Sequence, residues 1–149
     1  MDNKYKVLFV CVHNSARSQI AEAYLNKFGS DKFIAQSAGL EPGRLNPLVI
    51  DVLKEEGIDI SGKETKSVYD LFKKGMSFHY VITVCDKASS QKCPVFPGVT
   101  KRLNWSFADP SFFEGTYSEK LAMTRQVRDL IKAKIHDFML HYNKIKISY

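Results

Sequence analysis

The chain has 149 residues, 44 % hydrophobic and 26 % charged, which predicts one domain over residues 1–149 with a core that needs no disulfide staples and excludes a disordered chain. Its formal charge is +6, and residues 117–149 hold seven Lys or Arg against three Asp or Glu; the excess reads as the solvated face of a terminal helix and not as a nucleic-acid surface. No apolar run exceeds six residues, which excludes a transmembrane helix of about 20, and the start Met1-Asp2-Asn3-Lys4 gives no expectation of a secretory signal.

Residues 6–11, a continuous apolar run after a basic start at Lys6, have the pattern of a buried parallel strand. Residues 18–28 carry apolar side chains at 20, 21, 24, 25 and 28, the stripe of an amphipathic helix that Gly29 can end. Residues 33–38 read as a second strand. Asn46-Pro47 opens a helix to about Glu56, stopped at Gly57. A shorter helix spans 68–74 and ends at Gly75. Residues 79–85 are rich in β-branched side chains and predict a third strand. A polar, Pro-containing loop covers 88–98, a short strand 101–105, and another loop 109–115. From Tyr117 to about Tyr142, apolar residues at 127, 130, 131, 135, 138 and 142 predict a long amphipathic helix. Strands alternating with helices imply an α/β fold, a three-layer sandwich whose four-stranded parallel sheet carries helices on both faces. Ligands of such sheets bind outside the carboxyl ends of the strands. Cys11 and Cys85 both fall at the ends of predicted strands on that edge, so the two thiols could meet there.

Three cysteines, Cys11, Cys85 and Cys93, make an odd count. A reducing cytoplasm keeps thiols free, so these read as reactive or buried thiols and not as structural bridges. No metal site is expected, because Cys-x7-Cys is not a zinc knuckle and His13, His79, His136 and His141 show no paired ligand spacing.

The segment Cys11-Val12-His13-Asn14-Ser15-Ala16-Arg17-Ser18 joins the first strand to the first helix. A tight loop in that place turns successive backbone N–H groups inward, a nest for a tetrahedral oxyanion reinforced by the helix N-terminus. His13, Asn14, Ser15, Ala16, Arg17 and Ser18 are its expected oxyanion-binding residues. Arg17 closes the ring with a fork that grips two oxygens. Cys11 lies beneath the anion as the candidate nucleophile, and its surroundings favour the thiolate. Ser18 can donate its hydroxyl to that thiolate, and Asn14 suits a left-handed loop position. The side chain of His13 is expected to face solvent or pack the loop. The segment lacks the Gly-x-x-x-x-Gly-Lys of a nucleotide loop.

Cys11 to Gln19 followed by Ala21-Glu22 resembles the signature of arsenate reductases built on the low-molecular-weight tyrosine phosphatase fold. Val84-Cys85-Asp86, Cys93-Pro94-Val95-Phe96-Pro97-Gly98 and Trp105-Ser106-Phe107 with Asp109-Pro110 resemble the thioredoxin-coupled group of these reductases. The likeness runs from about Lys6 into the C-terminal helix. It implies that Cys11 attacks arsenate while Asp109 acts as general acid. Cys85 then attacks Cys11 and releases arsenite, Cys93 attacks Cys85, and reduced thioredoxin clears the Cys85–Cys93 bridge. No bound cofactor is implied. Phosphate and sulfate would compete with arsenate.

Lys87 and Lys92 flank the Cys85/Cys93 pair and are expected to favour thiolates modestly. Cys93 follows a polar stretch, 87–92, without a bulky apolar anchor, and is expected to reach Cys85 by moving. Asp109-Pro110 has a second reading as a turn initiator. The resemblance also supplies a monovalent-cation set at Asn14, Glu22 and Ser37. Lys66 stands at its fourth position, where an ammonium takes the place of the cation. After Asp109-Pro110 comes Ser111 before Phe112 and Phe113, where the phosphatases carry two aromatics directly. Two other functions compete: a phosphatase hydrolysing a phosphocysteine, which needs neither Cys85 nor Cys93, and a non-enzymatic oxyanion or redox module, which does not need Asp109. The expected setting is a cytoplasmic monomer that binds neither nucleic acid nor membrane.

Overall fold

The computed structural model describes residues 3–86, 89, 91–98 and 100–144. Four strands, β1 (Tyr5–Cys11), β2 (Phe33–Gly39), β3 (Tyr80–Thr83) and β4 (Lys101–Asn104), form one sheet in the order β2-β1-β3-β4. All three pairings are parallel, with Cys11 opposite Gly39, Val10 opposite Thr83 and Val81 opposite Arg102. The helices are α1 (Arg17–Phe28), α2 (Pro47–Lys54), α3 (Val68–Lys73) and α4 (Tyr117–His141).

The alternation of β1 sorts its side chains into two apolar layers. Val7, Phe9 and Cys11 face α1, α2 and α4, where they meet Ile20, Leu53 and Ile131. Leu8 and Val10 face the opposite layer, with Val68 and Leu71 of α3 and Phe96 of the following loop. Each face of the sheet is therefore covered, as the unbroken apolar run of β1 requires.

Local chemistry sets the ends of the helices. The Asn46 side chain accepts from the Leu48 N–H ahead of α2, with Pro47 in its first turn. Ser67 caps α3, and Thr116 with Glu119 makes a reciprocal capping box on α4. Gly57 and Gly75 take positive φ just beyond α2 and α3.

Three basic residues of α4 are tied to a neighbouring element. Arg125 and Arg128 both reach Glu55 at 2.8 Å, and Lys132 reaches Glu56 at 2.9 Å. These pairs fasten α4 to the end of α2. Among the described residues no helix is long and apolar enough to cross a membrane.

Most element boundaries differ from the sequence expectation by a residue or two, and three differences bear on the architecture. α2 ends at Lys54, with residues 55–57 in a turn. The loop at 109–115 contains a 3-10 helix, Pro110–Phe112. β3 ends at Thr83, so Cys85 lies two residues beyond the strand. The Val84 N–H still bonds to the Val10 carbonyl at 2.8 Å, which carries the chain along the edge toward Cys11.

Candidate active site

The loop between β1 and α1 is held from outside. The carbonyls of Cys11, Val12, His13 and Ser15 accept from the N–H groups of Leu40, Glu41, Gly43 and Asn46 at 2.7–3.1 Å. The Asn14 carbonyl accepts from Gln19 Nε2 at 3.2 Å. With its carbonyls turned outward, the loop turns its N–H groups inward. Among the described residues no hydrogen bond uses the N–H of Ser15, Ala16, Arg17 or Ser18. The Asn14 N–H points at Cys11 Sγ, 3.1 Å away. Asn14 has φ 56°, the left-handed conformation expected of it.

Gly39 makes this packing possible. A Cβ there would stand 2.8 Å from the Asn14 nitrogen and from the Val12 oxygen. Sequence reading missed Gly39, although a glycine closing a strand is a sign of close backbone approach.

Cys11 is 2 % exposed, and its sulfur sits 2.8 Å from Ser18 Oγ, which also accepts from Asn14 Nδ2. While it accepts from Asn14, the Ser18 hydroxyl keeps its proton to donate to a Cys11 thiolate. His13 is exposed, and its ring lies 2.9 Å from the Glu41 carbonyl, a rim contact outside the nest.

Arg17 opens α1 and sends its guanidinium toward residues 107–109. Its Nη1 donates to the Phe107 carbonyl at 3.3 Å and its Nη2 to Asp109 Oδ2 at 3.2 Å. Its Nε is buried and has no hydrogen-bond partner. A buried, unpaired guanidinium N–H beside free loop N–H groups is a receptor for an anion oxygen. Asp109 does two things at once: Oδ1 accepts from the Ser111 N–H at 2.9 Å, which makes the turn, while Oδ2 faces Arg17.

Cys85 is wholly buried beside this site. Burial pushes its thiol up to about 11; Arg17 draws it down, while Cys11 and Asp86 push it further up. Asn104 holds the Cys85 carbonyl at 3.1 Å and Thr83 Oγ1 at 2.7 Å. Cys93 lies apart from the other two thiols. It packs in the layer under α3, on the other side of the sheet from Cys11 and Cys85. On its C-terminal side the chain is anchored by Phe96, which is 2 % exposed and packs edge-on against Phe72 and Phe78. Burial raises the Cys93 thiol as well, and the cation that opposes this is Arg102. Lys92 is exposed, and Lys87 lies outside the described residues.

The sequence profile of the low molecular weight phosphotyrosine protein phosphatase family matches residues 6–147. The chain belongs to that family. An arsenate reductase of Halalkalibacterium halodurans is 39 % identical over 137 residues, 91 % of this chain and 96 % of that protein. An arsenate reductase structure in a phosphate-binding state superposes with a TM-score of 0.70 at 28 % identity, covering 95 % of this chain and 99 % of that one. The Corynebacterium glutamicum thioredoxin-dependent arsenate reductase gives a TM-score of 0.58 at 28 % identity, over 89 % of this chain and 62 % of that one.

In this member of the phosphatase family, the ammonium at the candidate cation set comes from a different lysine than expected. Glu22 accepts from Ser37 Oγ at 2.9 Å and pairs with Lys63 Nζ at 2.8 Å. Lys66 contributes its backbone N–H, donated to Asn14 Oδ1 at 2.9 Å. Lys63 escaped notice because it stands three positions before Lys66, which occupies the matching position. Among the described residues no three His, Cys, Asp or Glu side chains gather as metal ligands. Phe112 is 80 % exposed beside the Asp109 turn, and Phe113 packs against the core.

Proposed function

We propose that this protein reduces arsenate to arsenite through Cys11, Cys85 and Cys93, with reduced thioredoxin as the external electron donor and no bound cofactor. The observation that carries this reading is a thiol seated in an oxyanion loop, Cys11, with a second buried thiol, Cys85, close enough to feel its charge. Arsenate enters the nest of N–H groups from Ser15 to Ser18 and takes the free Nε of Arg17. It competes with Asp109 for Nη2, which releases the Asp109 carboxyl to carry a proton. The Cys11 thiolate forms a sulfur–arsenic bond, and an arsenate oxygen leaves as water with the proton from Asp109. Cys85 then attacks Cys11 Sγ. The S–S bond forms, the As–S pair of electrons stays on arsenic, and arsenite departs. Cys93 exchanges onto Cys85, restoring Cys11, and thioredoxin reduces the Cys85–Cys93 bridge.

Relatives named as arsenate reductases, one of them thioredoxin-dependent, support this reading. A phosphatase cycle would need only Cys11, Arg17 and Asp109, and leaves Cys85 and Cys93 no catalytic step, only protection of Cys11 by a reversible disulfide. Phosphate and sulfate should compete, because the loop reads tetrahedral shape and charge. The 149 residues work as one domain and a monomer in a reducing cytoplasm.

The test is a single turnover with three variants. Cys11→Ser releases no arsenite, because an alcohol is not ionised near neutral pH. Cys85→Ser also releases none. Cys93→Ser releases one equivalent in a burst and stalls as a Cys11–Cys85 disulfide, read by mass mapping. A free Cys11 after that burst would assign the second step to water or an external thiol.

A further inference from the structure

Arg102 lies on β4 opposite Val81, so its side chain leaves the sheet on the Cys93 side. Its Nη1 donates to the Pro94 carbonyl at 3.2 Å and its Nη2 to the Cys93 carbonyl at 3.4 Å. The Cys93 thiol donates to the same Pro94 carbonyl at 3.7 Å. Guanidinium and sulfur thus converge on one oxygen. Two residues along the same face, Asn104 holds the Cys85 carbonyl. One short edge strand therefore grips both thiol segments of the relay. We propose that Arg102 is the positioning residue for Cys93, holding the Cys93-Pro94 segment by its two carbonyls in the reduced protein and keeping a positive charge beside the sulfur, so that the thiol is primed before it moves to Cys85 for the second exchange.

The chemistry needs such a group. This inference rests on the arsenate-reductase reading, in which the Cys93 thiolate attacks Cys85 Sγ of the Cys11–Cys85 disulfide. A Cys85–Cys93 bond forms, the Cys11–Cys85 bond breaks, and Cys11 leaves as thiolate; the Cys93 proton goes to solvent. No oxidant or reductant enters this step. The attacking thiol must ionise, yet Cys93 is 5 % exposed. β1, β2, α3 and β3 present apolar side chains to it, among them Leu8, Val10, Ala38, Leu71 and Val81. The Tyr69 hydroxyl engages the neighbouring Lys92 carbonyl at 3.1 Å, while the Lys92 side chain is exposed. Among the described residues Arg102 is the charged group that favours the Cys93 thiolate against this burial.

The experiment compares wild type with Arg102→Gln, which keeps donors but loses the charge, and Arg102→Lys, which keeps the charge. Reduced protein is mixed with arsenate without thioredoxin, quenched with an alkylating agent, and its disulfides are mapped over time. Wild type ends as Cys85–Cys93. Arg102→Gln accumulates Cys11–Cys85 and converts it several-fold more slowly near pH 7, because less of the buried thiol is ionised without the guanidinium charge. The deficit closes as pH rises, and Arg102→Lys falls between. Conversion of Arg102→Gln at the wild-type rate, or a deficit equal at every pH, overturns the proposal. If wild type releases no arsenite, the reductase reading fails instead. A second measurement then still decides the role of Arg102: the pH profile of Cys93 alkylation in a Cys11→Ser, Cys85→Ser background. Arg102→Gln should move that profile to higher pH, and an unmoved profile overturns the proposal.

Discussion

Arg17 divides its guanidinium between the Phe107 carbonyl, the Asp109 carboxylate and an unpaired Nε. That division makes Asp109 separable into two roles by one substitution. Asp109→Asn keeps an oxygen for the Ser111 N–H, so the turn survives, but it loses the proton. We expect the arsenylation step to slow by about 10²–10⁴-fold, the usual worth of a general acid. Phosphate affinity should hold or rise, because Arg17 no longer faces a competing negative charge. Rapid-quench single turnovers and calorimetric phosphate titration check this; an unchanged rate would reduce Asp109 to a turn cap.

At the scale of elements, the anion loop depends on the segment after β2, whose N–H groups donate to four of its carbonyls. Gly39 sits where β2 and the loop come closest. Gly39→Ala places a methyl 2.8 Å from two backbone atoms, which cannot rotate away as a side chain can. The loop must shift, and its N–H groups move off the oxyanion geometry. Phosphate binding should weaken by about tenfold or more, with a stability loss of about 1–3 kcal/mol, the usual cost of overpacking. Isothermal titration with phosphate and urea unfolding separate the two effects. A variant that binds phosphate like wild type would show the loop to be more compliant than its hydrogen bonds suggest.

The whole molecule holds thiols and phenols in its interior, and that sets its response to alkali. Burial lifts Cys85 to about 11 from an ordinary 9.0. The unfolded chain therefore ionises there first, and the folded chain keeps its proton. Stability from this group is complete below about pH 9 and falls as pH rises toward 11, by about 2–3 kcal/mol. Tyr80, lifted to about 12 by burial, extends the decline above pH 10. Urea midpoints should fall across pH 9–11, and Cys85→Ala should flatten that slope even though its lost packing lowers the starting value. An equal slope in both proteins would remove Cys85 from the account.

The sequence alone determined the strands, the helices and the Cys11–Arg17 loop, because these follow from apolar periodicity, capping residues and local loop geometry over a few neighbouring residues. Asn14 in its left-handed conformation and Ser18 at the Cys11 sulfur belong to that local chemistry. Tertiary structure decided what depends on residues far apart in the chain. Lys63, not the side chain of Lys66, reaches Glu22, since the path of the 57–67 loop sets which ammonium arrives. Cys93 lies across the sheet from Cys85 and beneath an aromatic anchor, Phe96, which a polar stretch of sequence did not announce. Arg102 meets Cys93 only because β4 pairs in register with β3. Parallel pairing joins segments through long crossovers, so the partners of a side chain on one strand are fixed by sheet order and register, which no local pattern of residues encodes.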